Sequence, residues 1–196
     1  MAEFGVHRPL IGLTVGDPAG IGPEIVVKAL QEAPAREAIR AVVYADGCVL
    51  DRTLEHLGLA WRLNRVTEPT AGRFEADTID YVDVGVLDEA PAYGHVSAAG
   101  GSAGYRYLTT AIEDALDESV VGLATAPLNK ESLQAADVPY IDHTAVLKAM
   151  ASRREPMTLF LAKSLRVFFL TRHISFRQIP DAITRDGILE HLPLCD

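Results

Sequence analysis

Apolar runs of strand length alternate along this chain with stretches of helical spacing, and that alternation restricts the fold more than any other feature. "PLIGLTV" (9–15), "AVVYAD" (41–46), "IDYVDVG" (79–85) and "VVGLATA" (120–126) read as strands. A strand covered on both faces reads as a nearly continuous apolar run, whereas a half-solvated one alternates. Between them, "PEIVVKALQEA" (23–33), "CVLDRTLEHLG" (48–58) and "GGSAGYRYLTTAIEDALDE" (100–118) have the spacing of amphipathic helices. Strands alternating with helices predict an α/β fold with a largely parallel sheet. Farther on, "MTLFLA" (157–162) and "LRVFFLT" (165–171) are separated only by Lys163 and Ser164, which predicts a hairpin or adjacent sheet strands. Helical pieces are expected in "SFRQIPDAI" (175–183) and "RDGILEHL" (185–192), and "TEPTAGRFEADT" (67–78) is the best loop.

Charge then narrows the ligand classes. A net charge of −9 offers no basic face for a phosphate backbone, so no nucleic-acid partner is expected. A small anion stays open, because one local cluster of amide donors can hold a phosphate. Cys48 and Cys195 lie far apart and imply neither a disulfide framework nor a zinc ribbon. The opening "MAEFGVHRPLIGLTVGD" contains no apolar stretch long enough for a signal peptide or a span, so a cytoplasmic protein away from membranes is expected.

Chemistry concentrates at a few junctions. In "TVGDPAGIGPEIVVKAL" (14–30), Gly16, Gly20 and Gly22 lie between a strand and a helix, with Pro23 placed for the first helical turn. The pattern is neither a Rossmann G-x-G-x-x-G nor a P-loop, so a tight strand-to-helix connection competes with a ligand loop. Asp17 and Glu24 flank this turn, Glu24 as a first-turn acid. Asn129 and Lys130 stand where a helix follows a strand; Asn129 can cap it and Lys130 can reach an anion. In "YIDHTAVLKAM" (140–150) an acid, an imidazole and a hydroxyl precede an apolar helical run. Asp142 suits an N-cap, and the same trio could belong to an active site. Ser97 and Ser102 read as helix-start residues, and His7, His56 and His191 as surface residues without a motif.

"GDPAGIGPEI" (16–25) resembles the N-terminal signature of the 4-hydroxythreonine-4-phosphate dehydrogenase family of vitamin B6 biosynthesis. It is more distantly similar to the "GDGIGPE" opening of isocitrate and isopropylmalate dehydrogenases. "GHVSAAGGSAGYRYLTTAI" (94–112) resembles the family's "GKxSAExG" segment, with His95 in the place of its lysine. "TAPLNKESL" (125–133) resembles "TAPxNKxxL", "DHTAVL" (142–147) sits where the family reads "GHTExL", and "LRVFFLTRHISFRQIPDAIT" (165–184) resembles "LRVxLxTxHxxLxxVxxxIT".

The resemblance implies an isocitrate/isopropylmalate dehydrogenase-like two-domain α/β fold. Residues 1–122 would belong to a first domain and 123–196 would begin a second, dimer-forming one. It further implies a homodimer with a shared site, NAD or NADP as cofactor, and a divalent metal such as Zn, Mg, Mn or Co. The implied reaction oxidises a secondary alcohol on a small phosphorylated hydroxy acid, and the resulting β-keto acid loses carbon dioxide. Carried over by motif, His143 and Thr144 match the substrate-binding pair and His173 matches one of three metal histidines. No cofactor-binding or catalytic residue is identifiable.

Two departures stand out. Asp142 replaces the family's glycine and Ala145 its glutamate, which moves a carboxylate across the His-Thr pair. An acid there would oppose a phosphate, and so points to a relative acting on phosphorylated erythronate or threonate, or on an aromatic cis-dihydrodiol carboxylate. Secondly, the chain stops at "EHLPLCD", where the family continues into segments that carry the other metal histidines and more substrate contacts. A fragment, or a truncated non-catalytic chain, is therefore the third expectation. Such a half-fold should expose apolar surface.

Overall fold

The computed structural model describes residues 8–151, 157–171 and 174–195. It comprises two compact units, Met1–Ala151 and Ser152–Asp196, each taken by itself. Unit one contains β1 (Leu10–Thr14), α1 (Gly22–Gln31), α2 (Ala33–Ala38), β2 (Arg40–Ala45), α3 (Gly47–Leu57), β3 (Arg62–Val66) and β4 (Thr78–Asp83). It continues with α4 (Ala98–Leu116), β5 (Gly122–Thr125), α5 (Lys130–Ala135) and α6 (His143–Met150). Its sheet has the order β3-β4-β2-β1-β5, and every pair is parallel.

The central strand explains the continuous apolar runs. Val42, Val43, Tyr44 and Ala45 of β2 are all fully buried, which requires cover on both faces. Val26 and Val27 of α1, Leu50 and Leu54 of α3, and Ala103, Tyr107 and Ala111 of α4 supply apolar side chains to that core. Buried polar groups are paired into it. Asp46, at the end of β2, accepts from the amides of Val86 and Leu87 (both 3.0 Å) and from the Tyr107 hydroxyl (2.7 Å). Asp80 on β4 accepts from Asn64 Nδ2 (2.6 Å) and the amides of Arg73 (2.9 Å) and Phe74 (2.8 Å), which fixes the loop before β4.

Strand β3 and helix α2 were not foreseen. "RLNRV" carries no apolar run because β3 is an edge strand, paired only with β4 and partly solvated. Its polar residues find partners there, Arg65 with Asp83 at 3.3 Å and Asn64 with Asp80. Helix α2 buries none of its residues, so no periodic stripe announces it.

In the second unit, β6 (Leu159–Ala162) and β7 (Leu165–Phe168) form the expected antiparallel hairpin, with Lys163 in the left-handed region at φ 56°. Helices α7 (Ile179–Ala182) and α8 (Arg185–His191) follow. Apolar exposure is extensive here: all of β6 is exposed, and Phe176 is 88% exposed. No described helix is long and apolar enough to cross a membrane.

Candidate functional site

β2 lies on one side of β1 and β5 on the other, so the strand order reverses at β1. In an open parallel sheet a crevice forms beyond the strand carboxyl ends at such a point. Residues 15–21 leave β1 there, and residues 126–129 leave β5. The two segments are stitched together, the Ala126 amide donating to Thr14 O and the Asp17 amide to Pro127 O, both at 3.0 Å. Gly16 has φ +68°, and a Cβ on it would overlap Pro127 O, so glycine is required for this approach. The Asp17 carboxylate is buried and accepts from the Ala19 amide at 2.8 Å, which holds the turn.

Three of the helices that begin at this end carry side-chain caps. Ser97 Oγ caps α4 by accepting from the Gly100 amide at 3.0 Å. Asn129 Oδ1 caps α5, accepting from Glu131 at 2.9 Å and Ser132 at 3.0 Å. Asp142 Oδ1 caps α6, accepting from Ala145 at 2.9 Å. A Cβ on Gly101 would overlap Ser132 O, so α4 and α5 meet backbone to backbone. Ser102 lies within α4 rather than at its start.

His143 opens α6, and its Nε2 lies 3.2 Å from Ala126 O at the end of β5. A carbonyl can only accept, so the hydrogen sits on Nε2 and Nδ1 is the ring atom left for a ligand. Thr144 beside it and Lys130 at the start of α5 are both exposed. His143 is thus brought from α6 to the end of β5, the strand that Asn129 and Lys130 follow in the chain. Glu24 turns instead to Lys28, 2.5 Å away, and His56 tilts against the Tyr93 ring with centroids 5.5 Å apart. His191 bonds to Gly187 O through Nδ1 at 2.8 Å, and both cysteines are unpaired.

His173 and His7 lie outside the described residues. Among the described residues, no three His, Cys, Asp or Glu side chains form a set that could hold a metal ion. Sequence reading missed Asp46 with Tyr107, and Arg52, which ties two loops beside this crevice. A cavity of ≈ 360 Å³ opens there between residues 19–21, His56 and Tyr93. Another, of ≈ 260 Å³, lies among Arg8, Arg40, Trp61 and Phe74, at the strands' opposite end and away from every motif residue.

The sequence matches the family described as "Pyridoxal phosphate biosynthetic protein PdxA" over residues 37–196. The chain belongs to this family. Within it, a relative from Symbiobacterium thermophilum that bears the provisional name D-threonate 4-phosphate dehydrogenase is 40% identical over 189 residues. That alignment covers 96% of this chain and 56% of the relative, so the chain spans little more than half the length of such relatives. Among solved structures, a 4-hydroxythreonine-4-phosphate dehydrogenase from Burkholderia phymatum superposes with TM-score 0.89 at 33% identity, covering 95% of this chain and 57% of that one. A terephthalate 1,2-cis-dihydrodiol dehydrogenase from Burkholderia xenovorans gives TM-score 0.67 at 25% identity over 93% of this chain and 54% of its own. The expected α/β fold with its parallel sheet is thus the PdxA-type fold.

Proposed function

We propose that the whole protein is a dehydrogenase that oxidises a secondary alcohol on a small 4-phosphorylated hydroxy acid, of the D-threonate 4-phosphate kind. The β-keto acid so formed would then lose carbon dioxide. The observation that carries this reading is the His143–Thr144 pair, held at the β1/β5 carboxyl ends by the bond from His143 Nε2 to Ala126 O. With Nε2 engaged, a neutral His143 presents Nδ1 as an acceptor for a substrate hydroxyl, and Thr144 adds a rotatable hydroxyl. Lys130 supplies positive charge for an anionic group of the substrate. NAD or NADP would take the hydride that leaves the carbinol carbon, and the hydroxyl proton is released. A divalent metal, with His173 among its ligands, belongs to the proposal by family likeness.

The relatives' names favour a phosphorylated threonate, and the cap made by Asp142 removes the main reason to look elsewhere. Its carboxylate accepts from the Ala145 amide, so the residue that departs from the family pattern has a structural use. The dihydrodiol reading has the weaker support, with the lower similarity to that structure. A homodimer with a shared site is part of the same proposal, supported by the exposed apolar face of β6 and β7. So are a cytoplasmic location and a second domain beginning near residue 123.

The test is reduction of NAD and NADP by the whole protein with D-threonate 4-phosphate, 4-hydroxythreonine 4-phosphate and an aromatic cis-dihydrodiol carboxylate, with and without added zinc, magnesium, manganese or cobalt. Turnover of the threonate ester above the others is expected. A well-folded preparation that turns over none of them, or only the dihydrodiol, would sink the proposal.

A further inference from the structure

Arg52 lies on α3, a helix that contributes none of the family's motif residues. Its guanidinium joins the two loops that rim the crevice. Nη2 donates to Pro18 O at 2.6 Å, in the turn after β1, and Nη1 donates to Pro91 O in the segment leading to α4. The guanidinium also covers the Tyr93 ring, with Cζ 3.9 Å from its centroid. Among the described residues no carboxylate pairs with Arg52, and its Nε is buried without a hydrogen-bond partner. One further bond joins the loops directly, the Gly94 amide donating to Ala19 O at 2.8 Å.

We infer that Arg52 is a positioning residue, a clamp that sets residues 17–21 against residues 91–97 and thereby holds the rim in its binding-competent form. The inference rests on the dehydrogenase reading for its kinetic consequence, but not for its structural one. A planar fork with two diverging donors can engage two carbonyls at once, and an ammonium presents one compact charge instead. Asp17 is held from below by Pro127 O, but the residues that face each other across the rim, Gly20, Tyr93, Gly94, His95 and Val96, are all exposed. Without the clamp the rim samples open forms, and a ligand's apparent affinity falls by the fraction of molecules still competent.

The experiment compares Arg52→Met and Arg52→Lys with the unaltered whole protein, by amide hydrogen exchange and by kinetics with D-threonate 4-phosphate. In Arg52→Met, exchange over residues 17–21 and 91–97 should quicken, while β1, β2 and β4 keep their protection. KM should rise about tenfold with kcat nearly unchanged, as expected when the competent fraction falls to about a tenth. Arg52→Lys should recover only part of both effects. A merely structural role would lower the amount of active enzyme, so kcat would drop with KM unchanged. That outcome, or unchanged exchange in the two loops, overturns the inference. If the unaltered protein turns over no substrate, the dehydrogenase reading fails, while exchange still decides whether the clamp exists.

Discussion

Tyr107→Phe removes one oxygen from the centre of the first unit and little else. In the unaltered protein the Tyr107 hydroxyl donates to Asp46 Oδ2 at 2.7 Å, and both side chains are buried. A hydrogen bond to a charged acceptor contributes about 1.5–3 kcal/mol, and no apolar contact is lost in the exchange. Asp46 keeps two backbone amides, so its carboxylate is not orphaned and the loss should be about 2 kcal/mol. In a chain of this size that lowers Tm by roughly 4–8 °C. Trp61, the single tryptophan, packs against this unit's core, so its fluorescence during urea unfolding follows the relevant unit alone. Alkali supplies the sharper check. Burial first, and then the Asp46 carboxylate, push the Tyr107 phenol far above the ordinary tyrosine range. Above about pH 10 the unfolded chain ionises this phenol and the folded one does not, which costs about 1.4 kcal/mol of stability per pH unit. Phenylalanine escapes that cost, so a deficit of about 2 kcal/mol at pH 8 should close near about pH 11.5. A loss under about 0.5 kcal/mol at pH 8, or curves that stay parallel through pH 11, would refute the reasoning.

Tyr44, whose hydroxyl donates to the half-buried Asp114 at 2.7 Å, is likewise held protonated by burial and then by that carboxylate. Above about pH 10 these two phenols should together cost roughly 2.7 kcal/mol of stability per pH unit, read by urea titration at stepped pH, with further losses from Cys48 and Tyr81, whose ionisation burial also opposes. Asp142→Ala should cost about 1 kcal/mol through the lost cap, with Asp142→Gly costing less; equal stability of all three would show that the cap is idle. Asn129→Ala should cost about 1 kcal/mol for the two amides it leaves open, again by urea unfolding. His143→Ala should raise KM for D-threonate 4-phosphate about tenfold or more, because a hydrogen-bonded substrate group is left unpaired, and an unchanged KM would remove His143 from the site.

What could be read in advance follows from what the physics makes local. β1, β2 and β4 were legible because a strand largely buried on both faces must be apolar almost throughout, as fully buried Val42 and Val43 illustrate. β5 is an edge strand, legible from its apolar run although Ala124 and Thr125 are exposed. The Asp142 cap was legible because its donor, Ala145, is only three residues away. β3 was not, since an edge strand built of Arg and Asn has no apolar period. Nor could sequence show Asp46 receiving donors 40, 41 and 61 residues distant. Arg52 looks like any polar-face residue of α3, and its partners are carbonyls, which every residue carries. His143 and Thr144 were assigned to a site by family likeness, since spacing alone left a helix start and a site equally open.

The capping groups bear on which part of a substrate can face each helix. Neutral Ser97 and Asn129 cap α4 and α5, whereas the carboxylate of Asp142 caps α6. A helix N-terminus carries roughly half a positive charge, which a neutral cap leaves in place and a carboxylate more than offsets. The family pattern has glycine at this position, so the acid changes α6 from a site that attracts an anion to one that does not. If the whole protein takes the substrate proposed above, that substrate's phosphate would be better accommodated toward the positive charge of Lys130 than toward α6. The hydroxyl-bearing carbon of that substrate would then face α6, where His143 Nδ1 would accept from a hydroxyl and Thr144 would donate. On that argument Asp142 does not exclude a phosphorylated substrate; it disfavours one orientation of it, since repulsion between like charges falls with their separation. Under the proposed function, the carboxylate that caps α6 would then select which end of the substrate approaches that helix rather than call for different chemistry.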